Sequence, residues 1–98
     1  MLVCGDLTPA QQMCQAAHAA HESGIHLGNR DGISSIVICS LPAEDDLLKA
    51  EFDLGRRGIR SVVFREPDLG GRATALATEP LNGTSRKFLS RYPLWKGA

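Results

Sequence analysis

Ninety-eight residues, 43% of them hydrophobic, suffice for one core and exclude a cofactor-binding domain joined to a separate substrate domain. Eleven basic and eleven acidic side chains cancel, and the apolar share excludes a disordered polyelectrolyte. The strongest apolar run, Ile36 to Cys39, is far too short for a membrane span, and MLVCGDL lacks the pattern of a signal peptide, so a cytoplasmic chain is expected, with no membrane partner.

With only five aromatic residues, the core must rest on Leu, Ile, Val and Ala. Leu2-Val3-Cys4 predicts a first strand. Thr8-Pro9-Ala10-Gln11 reads as a helix start, with Thr8 as cap, Pro9 in the first turn and Gln11 returning the capping bond. The helix is expected to run to about Ser23 and stop at Gly24. Ala10, Met13, Ala17 and Ala20 mark an apolar stripe, and Gln11, Gln15, His18 and Glu22 share a polar one. The glycine-rich stretch 24–33 predicts a loop.

Ile36-Val37-Ile38-Cys39 reads as a central strand covered on both faces. Pro42 opens a second helix with Glu44, Asp45 and Asp46 in its first turn, Leu47, Leu48, Phe52 and Leu54 on its apolar side, and Gly58 at its end. Ile59 to Arg65 is a third strand, Glu66 to Gly71 a turn, and Ala73 to Thr78 a fourth strand. After Asn82-Gly83-Thr84 comes a short helix with Phe88 and Leu89, and Tyr92 to Trp95 packs back on the domain. The order β-α-β-α-β-β-α predicts an α/β fold, a three-layer α/β/α sandwich on a four-stranded mixed sheet, with residues 1–98 as a single domain.

Cys4, Cys14 and Cys39 are odd in number and unclustered, and read as buried free thiols of a reducing compartment. No C-x-x-C spacing is present, and His18, His21 and His26 do not complete a ligand set, so no metal is expected. Neither a phosphate-binding glycine loop nor a G-x-S-x-G elbow occurs. Charge is lopsided along the chain: residues 1–54 carry eight acids and two bases, residues 55–98 three acids and nine bases. Arg56, Arg57, Arg60, Arg65, Arg72, Arg86 and Lys87 could form a basic face for a polyanion. In a sheet of this kind a site forms outside the carboxyl ends of the parallel strands, where Asp6, Gln15, His18, Asp68 and Thr74 could border one cleft. Each also has a plain structural use. Asp6 can cap the helix, Gln15 can be solvated, His18 can bind backbone, Asp68 can make a turn, and Thr74 can be an ordinary strand residue.

The stretch Asp6-Leu7 followed by Gln15-Ala16-Ala17-His18-Ala19-Ala20 resembles the first strand and helix of type II peptidyl-tRNA hydrolases, and Thr74 to Pro80 resembles their last strand. The acidic turn Glu66-Pro67-Asp68 lies where that family carries an aspartate, and the order of elements agrees to about residue 80. The resemblance implies a divergent, short member: an esterase that cleaves the bond between a peptide and the 3′ end of tRNA, without cofactor. It implies that Asp6 and Asp68 position groups and water, that Gln15 and Thr74 hydrogen-bond the ester or its water, and that His18 joins this network or fixes the helix against the first strand. Peptidyl-tRNA would be the partner, bound through Gln11, Arg65, Arg72, Arg86 and Lys87; a homodimer is also compatible with the sequence. One departure stands out. Gln11 occupies the place of a turn lysine held to be functional in the family, in a turn two residues shorter than usual. A non-catalytic RNA- or protein-binding module on the same scaffold is therefore the alternative.

Overall fold

The computed structural model describes residues 1–27, 36–81 and 83–96. The elements follow the expected order: β1 (Leu2–Cys4), α1 (Pro9–His26), β2 (Cys39–Leu41), α2 (Glu44–Arg56), β3 (Ser61–Glu66), β4 (Arg72–Thr78) and α3 (Gly83–Phe88). One 3-10 turn, Pro67–Leu69, joins β3 to β4, and another, Leu89–Arg91, follows α3. The strands form a four-stranded mixed sheet in the order β2-β1-β4-β3. β1 and β2 are parallel, and β4 is antiparallel to both β1 and β3. The carboxyl ends of β1, β2 and β3 therefore lie at one end of the sheet, beside the start of β4. Leu47, Ala50 and Leu54 of α2 cover Leu2, Cys4, Leu41 and Leu76 on one face. Ala19 of α1 covers Val3, Ala75 and Ala77 on the other, which completes the three layers.

Residues 73–77 of β4 are all buried. With helices on both faces, small side chains let each helix approach closely. Phe64 of β3 pairs with Ala75, but Arg65 pairs with Ala73, so Thr74 is the extra residue of a bulge. The bulge resets the alternation. Leu76 and Ala73 lie in the core under α2, Ala75 lies in the core under α1, and Thr74 reaches α1 as well. The backbone at the bulge is satisfied locally: the Ala73 N–H donates to a Glu44 carboxylate oxygen at 2.7 Å, and the Cys4 thiol donates to the Ala73 carbonyl at 3.6 Å.

The start of α1 is as expected. The Gln11 N–H donates to Thr8 Oγ1, and the Thr8 N–H donates to Gln11 Oε1. The rest of the helix departs from expectation in two ways. It runs through Gly24 to His26, because Ser23 donates to the Thr78 carbonyl and holds the last turns on the sheet. That contact outweighs the cost of about 1 kcal/mol for glycine in a helix. The buried face is also not the predicted alanine stripe but Gln12, Gln15, Ala16, Ala19 and Ser23, while Met13 is 65% exposed. Polar side chains face inward because each meets a partner on the sheet or the tail. The same rotation leaves Cys14 exposed, whereas Cys4 and Cys39 are buried as expected.

The strand expected at Ile36–Cys39 is displaced. β2 begins at Cys39 and lies at the edge of the sheet, and Ile36 is 70% exposed. Burial of Leu2 and Cys4 in three-residue β1 sets this register, since they pair with Cys39 and Leu41. β1 and β4 take the central places. Of the loop predicted at 24–33, residues 24–26 are helical, and 28–33 lie outside the described residues, as does Asn82. α2 starts and ends where expected, with Asp46 accepting from the Ala43 N–H and Gly58 in the left-handed region. Phe52, read as apolar-side, is 64% exposed.

The tail packs back as predicted, by a specific route. The Ser40 N–H donates to the Pro93 carbonyl and the Trp95 N–H to the Ile38 carbonyl, which covers the free edge of β2. Trp95 then crosses to the α1 face, where its Nε1 donates to Gln12 Oε1 at 2.7 Å. Gln12 donates in turn to the Leu7 carbonyl. Replacing Trp95 by Phe keeps most of the apolar bulk but leaves a buried amide oxygen unpaired. Urea unfolding of Trp95→Phe should show a loss of about 1–3 kcal/mol. An unchanged midpoint would mean that the tail contributes no stability through this bond.

Candidate functional site at the carboxyl ends of the strands

Three segments distant in sequence meet where β3 ends and β4 begins. Thr74 Oγ1 donates to Gln15 Oε1 at 2.7 Å, and Gln15 Nε2 donates to Glu66 Oε2 at 2.9 Å. The other carboxylate oxygen, Glu66 Oε1, accepts from the Asp68 N–H at 3.2 Å. Thr74 is 0% exposed and Gln15 5%, so this chain of bonds begins inside the protein and ends at a partly exposed carboxylate. The bulge aims Thr74 inward, one face of α1 supplies Gln15, and the 3-10 turn after Pro67 folds the Asp68 amide back onto Glu66.

Hydrogen bonds to an ionised carboxylate favour the charged form. The Gln15 amide first, then the Asp68 N–H, hold Glu66 below the usual glutamate range, and His18 adds a smaller electrostatic pull in the same direction. The His18 ring is exposed and lies flat on Phe64, with centroids 4.5 Å apart and planes 7° apart. The exposed Asp68 belongs to the same turn. The buried chain thus anchors a turn that carries the exposed Asp68 carboxylate, and the His18 imidazole acts on Glu66 at the start of that turn.

The structure groups the expected site residues unevenly. Gln15, His18, Asp68 and Thr74 come together here. Asp6 sits at the same end of the sheet but is ion-paired with Arg72. That pairing raises the Arg72 pKa further. Arg72 Nε is sheltered and has no hydrogen-bond partner among the described residues. Arg65 leans back on the Gly71 carbonyl. Gln11 is committed to the helix cap. Arg86 and Lys87 lie on α3, whose Phe88 packs against the core under α2, on the opposite face from Gln15. Gln15 lies on the inner face of α1 rather than on a solvent-facing stripe with Gln11 and His18. Glu66, legible in the sequence as part of an acidic turn, also caps that turn from its place just before Pro67. Burial pushes the Cys4 thiol up, away from the reactive thiolate. Among the described residues no three His, Cys, Asp or Glu side chains are placed to hold a metal ion.

The pH consequence of the Glu66 anchor has a definite sign. A carboxylate whose folded pKa is lowered adds stability above its unfolded value, near 4.5, and this is lost as pH falls through the folded value. By NMR titration the Glu66 carboxyl should titrate below the ordinary glutamate range, and Gln15→Leu should move it upward. Coincident titration in the two proteins would refute the anchor.

No family model, curated protein or solved structure matches the chain.

Proposed function

We propose that the protein is an esterase acting on peptidyl-tRNA, cleaving the bond between the peptide and the 3′ ribose. The observation that carries this reading is the hydrogen-bonded chain Thr74–Gln15–Glu66. It joins the two stretches that resemble type II peptidyl-tRNA hydrolases, Gln15 to Ala20 and Thr74 to Pro80, and it ends at the acidic turn where that family carries an aspartate.

Burial divides the roles. Thr74 and Gln15 are positioning residues, since neither is open to a substrate, and both oxygens of Glu66 are already engaged. The groups left to touch water and ester are the Asp68 carboxylate and the His18 imidazole. In this reading Asp68 takes a proton from water as the water oxygen attacks the ester carbonyl carbon. His18, held flat on Phe64, borders the reacting carbonyl. The tetrahedral intermediate then collapses, the ribose 3′ oxygen leaves with the proton that Asp68 took from water, and free tRNA and the peptide acid result, the acid ionising to its carboxylate in water. Positioned acid–base groups of this kind contribute roughly 100- to 10,000-fold to rate.

The assay is release of free tRNA from purified peptidyl-tRNA. Turnover should exceed a boiled control. Asp68→Ala should reduce it by about 100-fold or more without change in thermal stability. Thr74→Ala should also slow it, and Thr74→Ser, which restores the hydroxyl, should recover most of the rate. If folded wild-type protein gives no turnover, the enzyme reading fails and a non-catalytic module on the same scaffold takes its place. Gln11 speaks for that second reading, because its side chain is spent on the helix cap and no cation stands there.

A further inference from the structure

The end of α2 and the segment after β4 build a second polar feature, on the opposite face of the sheet from Gln15. An open cleft of about 290 Å³ is lined by Asp53, Arg56, Arg57, Phe88 and Arg91. Three guanidiniums therefore share it with one carboxylate. The Phe88 ring holds two of them, with Arg57 Cζ 4.6 Å and Arg91 Cζ 3.8 Å from its centroid. Arg56 Cζ lies 5.9 Å from the ring of Phe52, which is 64% exposed. None of the three arginines forms a salt bridge among the described residues. Other basic residues behave differently: Arg60 pairs with Glu79 and Arg72 with Asp6. Three like charges against the single carboxylate of Asp53 leave the cleft with a net positive charge, and an anion entering it relieves the remaining repulsion.

We propose that this cleft binds single-stranded RNA, with backbone phosphates on Arg56, Arg57 and Arg91 and an unpaired base stacked on Phe52. Charge selects a polyanion, and the exposed ring beside Arg56 selects one with flat π-faces. Cationic grooves edged by aromatic platforms hold single strands in this way. Arg86 and Lys87, exposed on α3 just before Phe88, extend the basic surface along the strand. An acidic protein would satisfy the arginines and leave Phe52 without a role. The site is independent of the hydrolytic reading: α2 runs about 20 Å from Glu44, which bonds the bulge, to Arg56 at the cleft.

Binding of a fluorescent ten-nucleotide oligouridylate, followed by anisotropy, tests the proposal. Three phosphate contacts to a single strand predict that affinity falls about 20-fold between roughly 50 and 200 mM salt. The double variant Arg57→Glu/Arg91→Glu should lose binding while keeping its circular dichroism spectrum, and Phe52→Ala should lose about tenfold. Asp68→Ala should bind as the wild type does, which separates this site from the hydrolytic one. Wild-type affinity in the charge-reversed variant would overturn the proposal. So would equal displacement by poly-glutamate together with a silent Phe52→Ala, an outcome that points to an acidic protein surface.

Discussion

Strand β4 must be covered on both faces, and the rest of the molecule answers to that requirement. Its residues 73–77 lie between α1 and α2, and four of the five are Ala or Thr. Small side chains bring both helices close but supply little apolar area. Bulk is therefore concentrated on the α2 side, where Leu2, Leu47, Leu54 and Leu76 are fully buried. On the α1 side the core is thinner, built from Val3, Ala19, Ala75 and Ala77 with Phe64 and Trp95 at its margins.

The thin side is held by polar contacts. Gln12, Gln15 and Ser23 are buried on α1, and each is bonded: to the tail and Leu7, to Glu66 and Thr74, and to the Thr78 carbonyl. A buried amide without partners would cost about 1–3 kcal/mol, so these contacts specify one helix position as much as they stabilise it. The bulge at Thr74 belongs to the same arrangement. In an unbulged strand Thr74 would point with Leu76 toward α2, and Gln15 would lose its hydroxyl partner.

Charge is sorted by place in the fold. Asp6, Glu44, Glu66 and Asp68 gather at the carboxyl ends of the strands, with Arg65 and Arg72 among them. Arg56, Arg57 and Arg91 gather around Phe88 on the α2 face. A zero net charge thus conceals an acidic rim and a basic cleft. The two surfaces lie apart because α2 starts at one end of the sheet and finishes at the other, and each draws on both halves of the chain: Glu66 and Asp68 belong to the rim, Asp53 to the cleft.

Local chemistry made much of the fold legible in advance. The cap at Thr8 and Pro9, the acidic first turn after Pro42, the stop at Gly58 and the strand before Pro80 each depend on a few neighbouring residues, and each stands where the residues place it, although the bulge breaks the alternation along that strand. The grouping of Gln15, His18, Asp68 and Thr74 was legible only as a pattern, without its geometry. Tertiary structure alone decided which side of α1 is inside, that β2 starts at Cys39 and lies at an edge, and that Glu66 rather than Asp6 anchors the first helix. The reason is physical. A glutamine looks like a surface residue until a partner 51 or 59 positions away meets it, and those partners exist only once the sheet is assembled and the bulge has turned Thr74 toward the helix.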